Sequence, residues 1–496
     1  MTQEGPTPSW GASLSWQSLN VLLQVLLQLV YIRVLAGMLT QEDFGIMAIA
    51  LIVVGVVEIF AQVGIGPSIV QFKDLSPGHV ASAWWFSALL GLGCFGLMFL
   101  AAPHIAAHYD LAILTPVLRW ISLSFVISGF SVVSRSLLVR EMNFKGLTGC
   151  ALLGMVVGNL CVGLGLAYSG AGVWAYVSAL LVQNLVLSMG YLYLANIPWS
   201  MGFRIGKWRE LLGYGLRSTA FNMLTYAAAK MDVWLVGERL STASTGIYDR
   251  AVNLMGQPIT VLGKLGDSVL FSGMSSIQDQ TEAMRRVTLR GMHLISLLTL
   301  PLTVALVIQA EGVTWLFLGD RFADAAPVVH ILFAAVAFRA LTKLGDANLR
   351  AMDGLRSGIV IKLIFLGSVA GGVYWALLHG HGTRGVAWAI VTASALQWLL
   401  TTLWIMAALA LSTLDVLKTQ ATGLILALTV ALPMLMMDSP WGLETLVGGS
   451  LGFVLLAWFP RLSLPQWADS DGVLREQMGK KMPNGPWQKR WIRMNK

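Results

Sequence analysis

Apolar runs about twenty residues long, separated by short polar connections, follow one another along almost the whole chain. A helix needs about 20 predominantly apolar residues to cross the hydrocarbon core of a bilayer. The segments that meet this requirement are predicted over residues 13–38, 44–70, 81–102, 113–138, 147–168, 172–195, 211–236, 246–272, 287–309, 327–350, 357–378, 384–410, 418–437 and 441–459. The pattern predicts an all-α, polytopic membrane protein with about 14 transmembrane helices.

Composition agrees with this prediction and excludes several other classes of protein. Hydrophobic residues make up 56% of the chain and charged residues 12%, with a mean hydropathy of +0.70; soluble domains contain about 25% charged residues. The connections are too short to fold as a catalytic domain, which argues against an enzyme. The three cysteines lie in apolar segments, and no four-ligand cluster is visible in the sequence, so we expect neither a disulfide framework nor a metal or other cofactor.

Lysine and arginine positions predict the orientation of the chain in the membrane. The even-numbered connections contain the basic residues Lys73, Arg140, Lys145, Arg204, Lys207, Arg209, Arg285, Arg286, Arg290, Arg350, Arg356 and Lys418. The odd-numbered connections hold little beyond Arg239, Arg321 and Arg384. The positive-inside rule therefore places the even connections and both termini in the cytoplasm. The net charge of +8 is explained by these loops and by a basic tail, so membrane lipid is the expected partner and nucleic acid is not.

A weak internal repeat divides the chain into two halves. The Gly-Ile pair at 45–46 recurs 201 residues later at 246–247, and the Arg-x-Met pattern at 140–142 recurs 210 residues later at 350–352. Both matches fall at corresponding points of two six-span halves, which must be parallel because six is even. Repeated halves with a site at their interface are typical of transporters.

The repeat predicts the organisation of the chain. The expected divisions are an N-lobe over 1–200 with helices 1–6, a C-lobe over 201–412 with helices 7–12, two extra helices over 413–460, and a basic cytoplasmic tail over 461–496.

The tenth predicted span carries a stripe of charged side chains. Arg339, Lys343, Asp346 and Arg350 are spaced i, i+4, i+7 and i+11, so they lie on one face of a helix. An ionised side chain near the bilayer centre costs at least ~2.5–3.5 kcal/mol. The stripe therefore predicts a watery cavity that suits an anion. The alternative is that these residues pair with neighbouring helices, or that one end of the stripe reaches the membrane interface.

Polar side chains on other spans are further candidates for binding a substrate. They are Gln17, Gln24, Gln28 and Tyr31 on the first span, Asn222, Tyr226 and Lys230 on the seventh, and Arg250, Gln257 and Lys264 on the eighth. Amides donate and accept hydrogen bonds, which suits sugar hydroxyls. Interhelical packing is the alternative, and Asp267 could neutralise Lys264. Glu58 and Asp346 are carboxylates within spans and candidates for ion coupling, although Glu58 could equally have a structural role.

Three segments resemble a known family. RVLAGMLTQEDFGIMAIA at 33–50 resembles the first hairpin of bacterial polysaccharide flippases, and SRSLLVREMNFKGL at 134–147 resembles their fourth-to-fifth connection. The segment 231–258 resembles the seventh-to-eighth hairpin, with the landmarks Asp232, Gly237, Gly246, Tyr248 and Pro258. The chain is similar, over about residues 10–460, to the polysaccharide transport (Wzx-type) family of the multidrug/oligosaccharidyl-lipid/polysaccharide (MOP) superfamily, closest to the subgroup of colanic acid and xanthan exporters.

The resemblance implies two six-helix lobes in a V plus two C-terminal helices, and alternating access across the bacterial inner membrane. It implies an oligosaccharide linked to undecaprenyl diphosphate as the substrate, for exopolysaccharide or surface polysaccharide assembly. The polymerase and export machinery are then candidate partners. The diphosphate or acidic sugars would bind Arg339, Lys343, Arg250 and Lys230, with Lys264 as a further candidate, and the sugars would bind the glutamines.

The related lipid II flippases have a cation site in the C-lobe. Asp232 lies on the corresponding helix and is therefore a candidate for ion coupling, but the eleventh span, 358–378, contains no carboxylate. Sodium coupling is thus not carried over to this chain.

Two other functions are considered. A drug/cation antiporter of the same superfamily would need an acidic or aromatic cavity, which the positively charged stripes oppose. A membrane-embedded enzyme of glycan assembly would need substantial loops to carry an acid/base pair, and the chain has none.

Overall fold

The structure is a computed structural model that describes residues 10–62, 65–72, 75–195, 223–266, 281–352 and 354–435. Helices account for nearly all of these residues, and no strand occurs among them. The first half of the described chain contains α1 (Trp10–Met38), α2 (Gln41–Gln62), α3 (Ile65–Gln71), α4 (Pro77–His108), α5 (Leu114–Ile121), α6 (Leu123–Arg140), α7 (Phe144–Gly154), a π-helix (Met155–Gly163), α8 (Leu164–Tyr168) and α9 (Val173–Leu194). The second half contains α10 (223–239), α11 (Thr242–Gly266), α12 (Thr281–Ile308), α13 (Ala310–Leu318), a 3-10 helix (Asp320–Ala325), α14 (Ala326–Phe333), α15 (Ala335–Ala351), α16 (Leu355–Leu378), α17 (Gly382–Leu409) and α18 (Thr413–Leu435).

The predicted all-α, multi-pass membrane fold is confirmed. Within the described ranges, nine helices are long and apolar enough to cross a membrane, or ten if one bent pair forms a single span. The predicted segments from 13–38 to 418–437 all overlap described helices, but those at 13–38, 211–236 and 246–272 overlap α1, α10 and α11, which are not among the nine or ten. The last predicted segment, 441–459, and the basic tail lie outside the described residues.

Several predicted spans consist of shorter helices joined by breaks. The fourth is split between α5 and α6 at Ser122, whose hydroxyl donates to the Arg119 carbonyl at 2.7 Å. The tenth bends by 44° between the 3-10/α14 segment and α15. The charged stripe therefore lies on α15, whose axis differs from that of the preceding half of the predicted span.

The described residues fall into two compact units. The first comprises residues of Met1–Val261, Val313–Ala335 and Val360–Gln397, and the second those of Leu262–Gly312, Val336–Ile359 and Trp398–Lys496. The core of the first unit includes Met47 and Phe125, both fully buried; that of the second includes Met284 and Ile405. The lobe boundaries at residues 200 and 412 remain predictions.

The two copies of the Gly-Ile repeat meet in the first unit, where α2 and α11 cross at their first turns. A Cβ on Gly45 would overlap the Thr242 carbonyl oxygen, and a Cβ on Gly246 would overlap the Gln41 carbonyl oxygen. Gln41 and Thr242 are related by the same 201-residue offset as the two glycines, so the contact is reciprocal. Glycine is required at both positions because the backbones approach too closely for any side chain.

Two basic residues that depart from the positive-inside pattern have structural partners. The Arg321 guanidinium donates to the carbonyl of Met38 at 3.2 Å, in the last turn of α1, and Gln41 Nε2 donates to the Arg321 carbonyl at 2.6 Å. A cation satisfies the exposed carbonyls at a helix C-terminus. The Arg239 guanidinium lies 5.4 Å from the ring centre of Tyr374.

Candidate functional site

Four polar side chains, two of them buried and two half-buried, form a cluster between the antiparallel helices α10 and α11 of the first unit. This cluster comprises Lys230, Asp249, Arg250 and Asn253. Asp249 Oδ2 accepts hydrogen bonds from the Arg250 guanidinium and from Asn253 Nδ2, the latter at 2.9 Å, while Oδ1 lies 3.9 Å from Lys230 Nζ. The side chains of Asp249 and Arg250 are each 5% exposed, and that of Lys230 is 32% exposed. Two cations therefore share one carboxylate, which leaves the cluster with a net positive charge.

Arg250 is the most enclosed charge of the cluster. Its guanidinium carbon lies 4.8 Å from the ring centre of Phe44 on α2, and the side chain of Tyr176 on α9 accepts a further hydrogen bond from it. Phe44 is itself held edge-on by Tyr176 at 6.1 Å and by Phe322 at 5.3 Å. A desolvated guanidinium over an aromatic face gains about 2 kcal/mol. Arg250 is thus held by side chains from α2 and α9 as well as by Asp249 on its own helix.

A small cavity adjoins the cluster between α1, α11 and α13. Its lining residues are Leu29, Ile32, Arg250, Asn253, Leu254, Gln257, Phe317 and Leu318. The polar wall comes from α11 alone, with Arg250, Asn253 and Gln257 at i, i+3 and i+7. Arg250 Nε is buried and has no hydrogen-bond partner among the described residues. The cavity therefore offers a positively charged wall opposite an apolar one.

Two of the family landmarks are joined by a hydrogen bond. The Tyr248 hydroxyl donates to Asp232 Oδ2 at 3.0 Å, and both side chains are buried. The helices α10 and α11 are thus linked twice, by this hydrogen bond and by the ion pair of Lys230 and Asp249. The proposed role of Asp232 in ion coupling stays a prediction.

Tyr226 inserts into a notch in α2. Its hydroxyl donates to the carbonyls of Leu51 and Ile52, at 3.1 and 3.2 Å, and the ring occupies the space that a side chain at Gly55 would fill. Glu58, half-buried and one turn further along α2, is close enough to Tyr226 to interact with it electrostatically. In this structure the Tyr226 hydroxyl binds the protein backbone, while its role in substrate binding stays a prediction.

The predicted polar face of the first span is only partly buried. Tyr31 is 4% exposed and lies near Tyr176 and Arg250, and its hydroxyl has no hydrogen-bond partner in the part of the chain that the structure describes. Gln24 is half-buried and Gln28 is exposed. The side chains of Gln17 and Lys264, and the whole of Asn222, lie outside the described residues.

The stripe of the tenth span belongs to the second unit. Lys343 is exposed and Arg339 and Asp346 are half-buried, whereas the neighbouring Leu344 and Ala347 are buried in the core of that unit. The charged residues thus occupy the open face of α15. The side chain of Arg350 lies outside the described residues.

Sequence reasoning missed Asp249, Asn253, Phe44 and Tyr176. A carboxylate in an apolar span was a usable signal, since such a group needs a partner. Its pairing with Arg250 was harder to foresee, because consecutive residues on a helix do not normally face each other.

Comparisons with known proteins identify the family. Residues 34–327 match the family described as polysaccharide biosynthesis protein. The chain is 22% identical over 319 residues to the lipopolysaccharide biosynthesis protein WzxC of Escherichia coli, an alignment that covers 64% of this chain and 65% of that protein. It is 23% identical to the succinoglycan biosynthesis transport protein ExoT of Rhizobium meliloti, over 75% of this chain and 73% of that protein. The fold is that of the lipid II flippase MurJ in its inward closed conformation, with a TM-score of 0.73, 14% identity, and coverage of 90% of this chain and 98% of that one. This chain is a member of the polysaccharide biosynthesis protein family.

Proposed function

We propose that the protein is a flippase that moves undecaprenyl-diphosphate-linked oligosaccharide repeat units from the cytoplasmic to the periplasmic leaflet of the bacterial inner membrane by alternating access. Membership of the polysaccharide biosynthesis protein family supports a role in assembling an exopolysaccharide or surface polysaccharide. The observation that carries the proposal is the cluster of Lys230, Asp249 and Arg250, which has a net positive charge and a partly exposed cation, Lys230. A charge of this kind in an apolar helix hairpin suits an anionic substrate.

The substrate chemistry matches the candidate residues. A diphosphate requires cations, and a guanidinium can bind phosphate oxygens in a bidentate manner. Arg250 and the partly exposed Lys230 are the cations of the cluster in the first unit, and Arg339 and Lys343 lie on the open face of α15. Sugar hydroxyls would bind the remaining polar candidates, Gln17, Gln24, Gln28, Tyr31, Asn222 and Tyr226, with Lys264 as a further cation.

The same charges argue against the other functions. A drug/cation antiporter would place acidic groups where this chain has an excess of basic ones. Enzymatic glycan transfer would need an acid/base pair outside the membrane, and the sequence has no loop long enough to carry one. We therefore propose a transporter whose ion coupling, if present, involves Glu58, Asp232 or Asp346, and whose termini are both cytoplasmic.

Deleting the gene is expected to abolish one surface or secreted polysaccharide and to leave its lipid-linked repeats facing the cytoplasm. The measurements are polysaccharide yield and the accessibility of the lipid-linked repeats in right-side-out vesicles. A plasmid copy should restore both. Normal export in a deletion strain without a paralogue would refute the proposed function.

Substitutions on α15 test the stripe separately. Because Lys343 is exposed and Arg339 half-buried, Arg339→Ala and Lys343→Ala should leave the protein inserted and folded but lower export. Arg339→Lys should restore export only in part, since lysine keeps the charge and loses the guanidinium fork. The measurements are export and the yield of monodisperse protein in detergent. Normal export by both alanine variants would exclude the stripe from the substrate path, and loss of folded protein in both would assign it a structural role.

A further inference from the structure

The two carboxylate oxygens of Asp249 differ in the number and closeness of their partners. Oδ2 accepts hydrogen bonds from both Arg250 and Asn253, whereas Oδ1 has Lys230 as its ionic partner at the long distance of 3.9 Å. One carboxylate therefore serves two cations in a site where it is itself 5% exposed. Its hold on Lys230 is the weaker of the two.

Of the three side chains that bind Asp249, Arg250 and Asn253 also belong to the polar wall of the cavity, whereas Lys230 does not line it. Arg250 and Asn253 line the cavity, whereas Asp249 does not. The Asn253 side-chain amide donates to the Asp249 carbonyl at 2.7 Å as well as to Oδ2 at 2.9 Å, so both of its hydrogens are engaged by Asp249. At this wall, Asn253 and one terminal nitrogen of the Arg250 guanidinium are already engaged by Asp249, whereas Arg250 Nε has no hydrogen-bond partner among the described residues.

From this overlap we propose that Asp249 is a positioning residue that competes with the phosphate of the substrate for Lys230 and Arg250. This inference rests on the proposed function. Asp249 pairs with the two cations when the site is empty. When the phosphate binds, the cations pair with the phosphate instead, and they pair with Asp249 again after it leaves. Neither cation is then left buried without a counter-charge, which is costly in a protein interior, and Asp249 keeps its hydrogen bond from Asn253 while the phosphate is bound. The exchange weakens binding and speeds release.

The ligand class is a phosphate or diphosphate ester with an apolar tail. Farnesyl diphosphate serves as the probe, inorganic pyrophosphate shows how much of the affinity comes from the head group alone, and farnesol is the uncharged control. Binding is measured on the purified full-length protein in lipid nanodiscs, in parallel with export in cells.

Asp249→Asn should bind farnesyl diphosphate about tenfold more tightly than the wild type, a change within the usual range of coupling between two binding events. Pyrophosphate affinity should rise by the same factor, and farnesol binding should not change. Export should fall, because the product leaves more slowly. Asp324→Asn, which removes one negative charge from an exposed position, should match the wild type in every measurement.

A second pair of variants keeps the test decisive where the single variant folds poorly. Lys230→Gln alone should weaken farnesyl diphosphate binding, because it removes a cation. Lys230→Gln combined with Asp249→Asn removes one charge of each sign and should bind more tightly than Lys230→Gln. A merely structural Asp249 predicts that Asp249→Asn weakens binding, or leaves it unchanged, in both backgrounds.

The outcomes separate the inference from the proposed function. One outcome is that the wild type binds farnesyl diphosphate, that Arg250→Gln weakens this binding, and that neither Asp249 variant strengthens it. The competition is then refuted while the flippase proposal stands. Loss of folded protein in both Asp249 variants would likewise overturn it and make Asp249 a structural counter-ion. If Arg250→Gln binds as well as the wild type, the proposed site itself is wrong.

Discussion

Alanine at Gly45 or at Gly246 is expected to abolish polysaccharide export. A Cβ on Gly45 would lie 2.7 Å from the Thr242 carbonyl carbon and one on Gly246 would lie 2.8 Å from the Gly45 nitrogen, besides overlapping a carbonyl oxygen in each case. The obstructing atoms are backbone, so α2 and α11 must move apart. Overpacking of this kind costs about 1–3 kcal/mol or more, against a gain of about 1 kcal/mol from replacing glycine in a helix.

The consequence for function follows from the neighbouring residue. Phe44 precedes Gly45 and supports the Arg250 guanidinium, so separating the two helices also disturbs the cluster of polar side chains. Because both substitutions open the same crossing, the double variant should lose less stability than the two single losses added together.

The measurements are thermal unfolding of the purified protein and export in cells. Gly93→Ala is the matched control: it is also a helical glycine, and a Cβ there would have nothing within 4 Å. It should be neutral or slightly stabilising. Normal stability and export in both Gly45→Ala and Gly246→Ala would show that the two helices do not need this close approach.

Replacing Arg250 is expected to have the second large effect, and to affect folding as well as export. Arg250→Met leaves the Asp249 carboxylate buried with only Asn253 and a cation 3.9 Å away. Breaking a buried pair by removing one partner typically costs about 3–5 kcal/mol, a large share of the 5–15 kcal/mol that stabilises a typical folded protein. We expect a lower melting temperature and a lower yield of monodisperse protein.

A double variant distinguishes the structural effect from the functional one. Arg250→Met with Asp249→Leu removes both charges, and apolar replacement of a buried pair is often neutral for stability. Lys230, whose side chain is 32% exposed, loses only an ionic partner at 3.9 Å. The double variant should therefore regain folded protein but not export. Recovery of export together with stability would show that Arg250 has only a structural role.

Some of the candidate residues could be identified from local patterns because their interactions are local. The spacing of Arg339, Lys343 and Asp346 placed them on one helical face, and the structure places them on the open face of α15. Likewise, Arg250 and Gln257 share one face of α11 and line one cavity. Helical periodicity alone decides such placements. It does not decide which atoms of a neighbouring helix the side chains meet.

The amino-acid sequence by itself determined the all-α membrane class, the approximate positions of the spans and the family, because the length of apolar runs and the need to satisfy every backbone group in lipid leave few alternatives. Only the tertiary structure decided the partners. In the folded chain Arg250 pairs with the adjacent Asp249, and the Tyr226 hydroxyl donates to carbonyls of α2. The two copies of the weak Gly-Ile repeat form a reciprocal contact between two helices. Helices in a membrane associate through close packing and interhelical hydrogen bonds rather than through hydrophobicity, so the apolar pattern that predicts each helix carries little information about its neighbours.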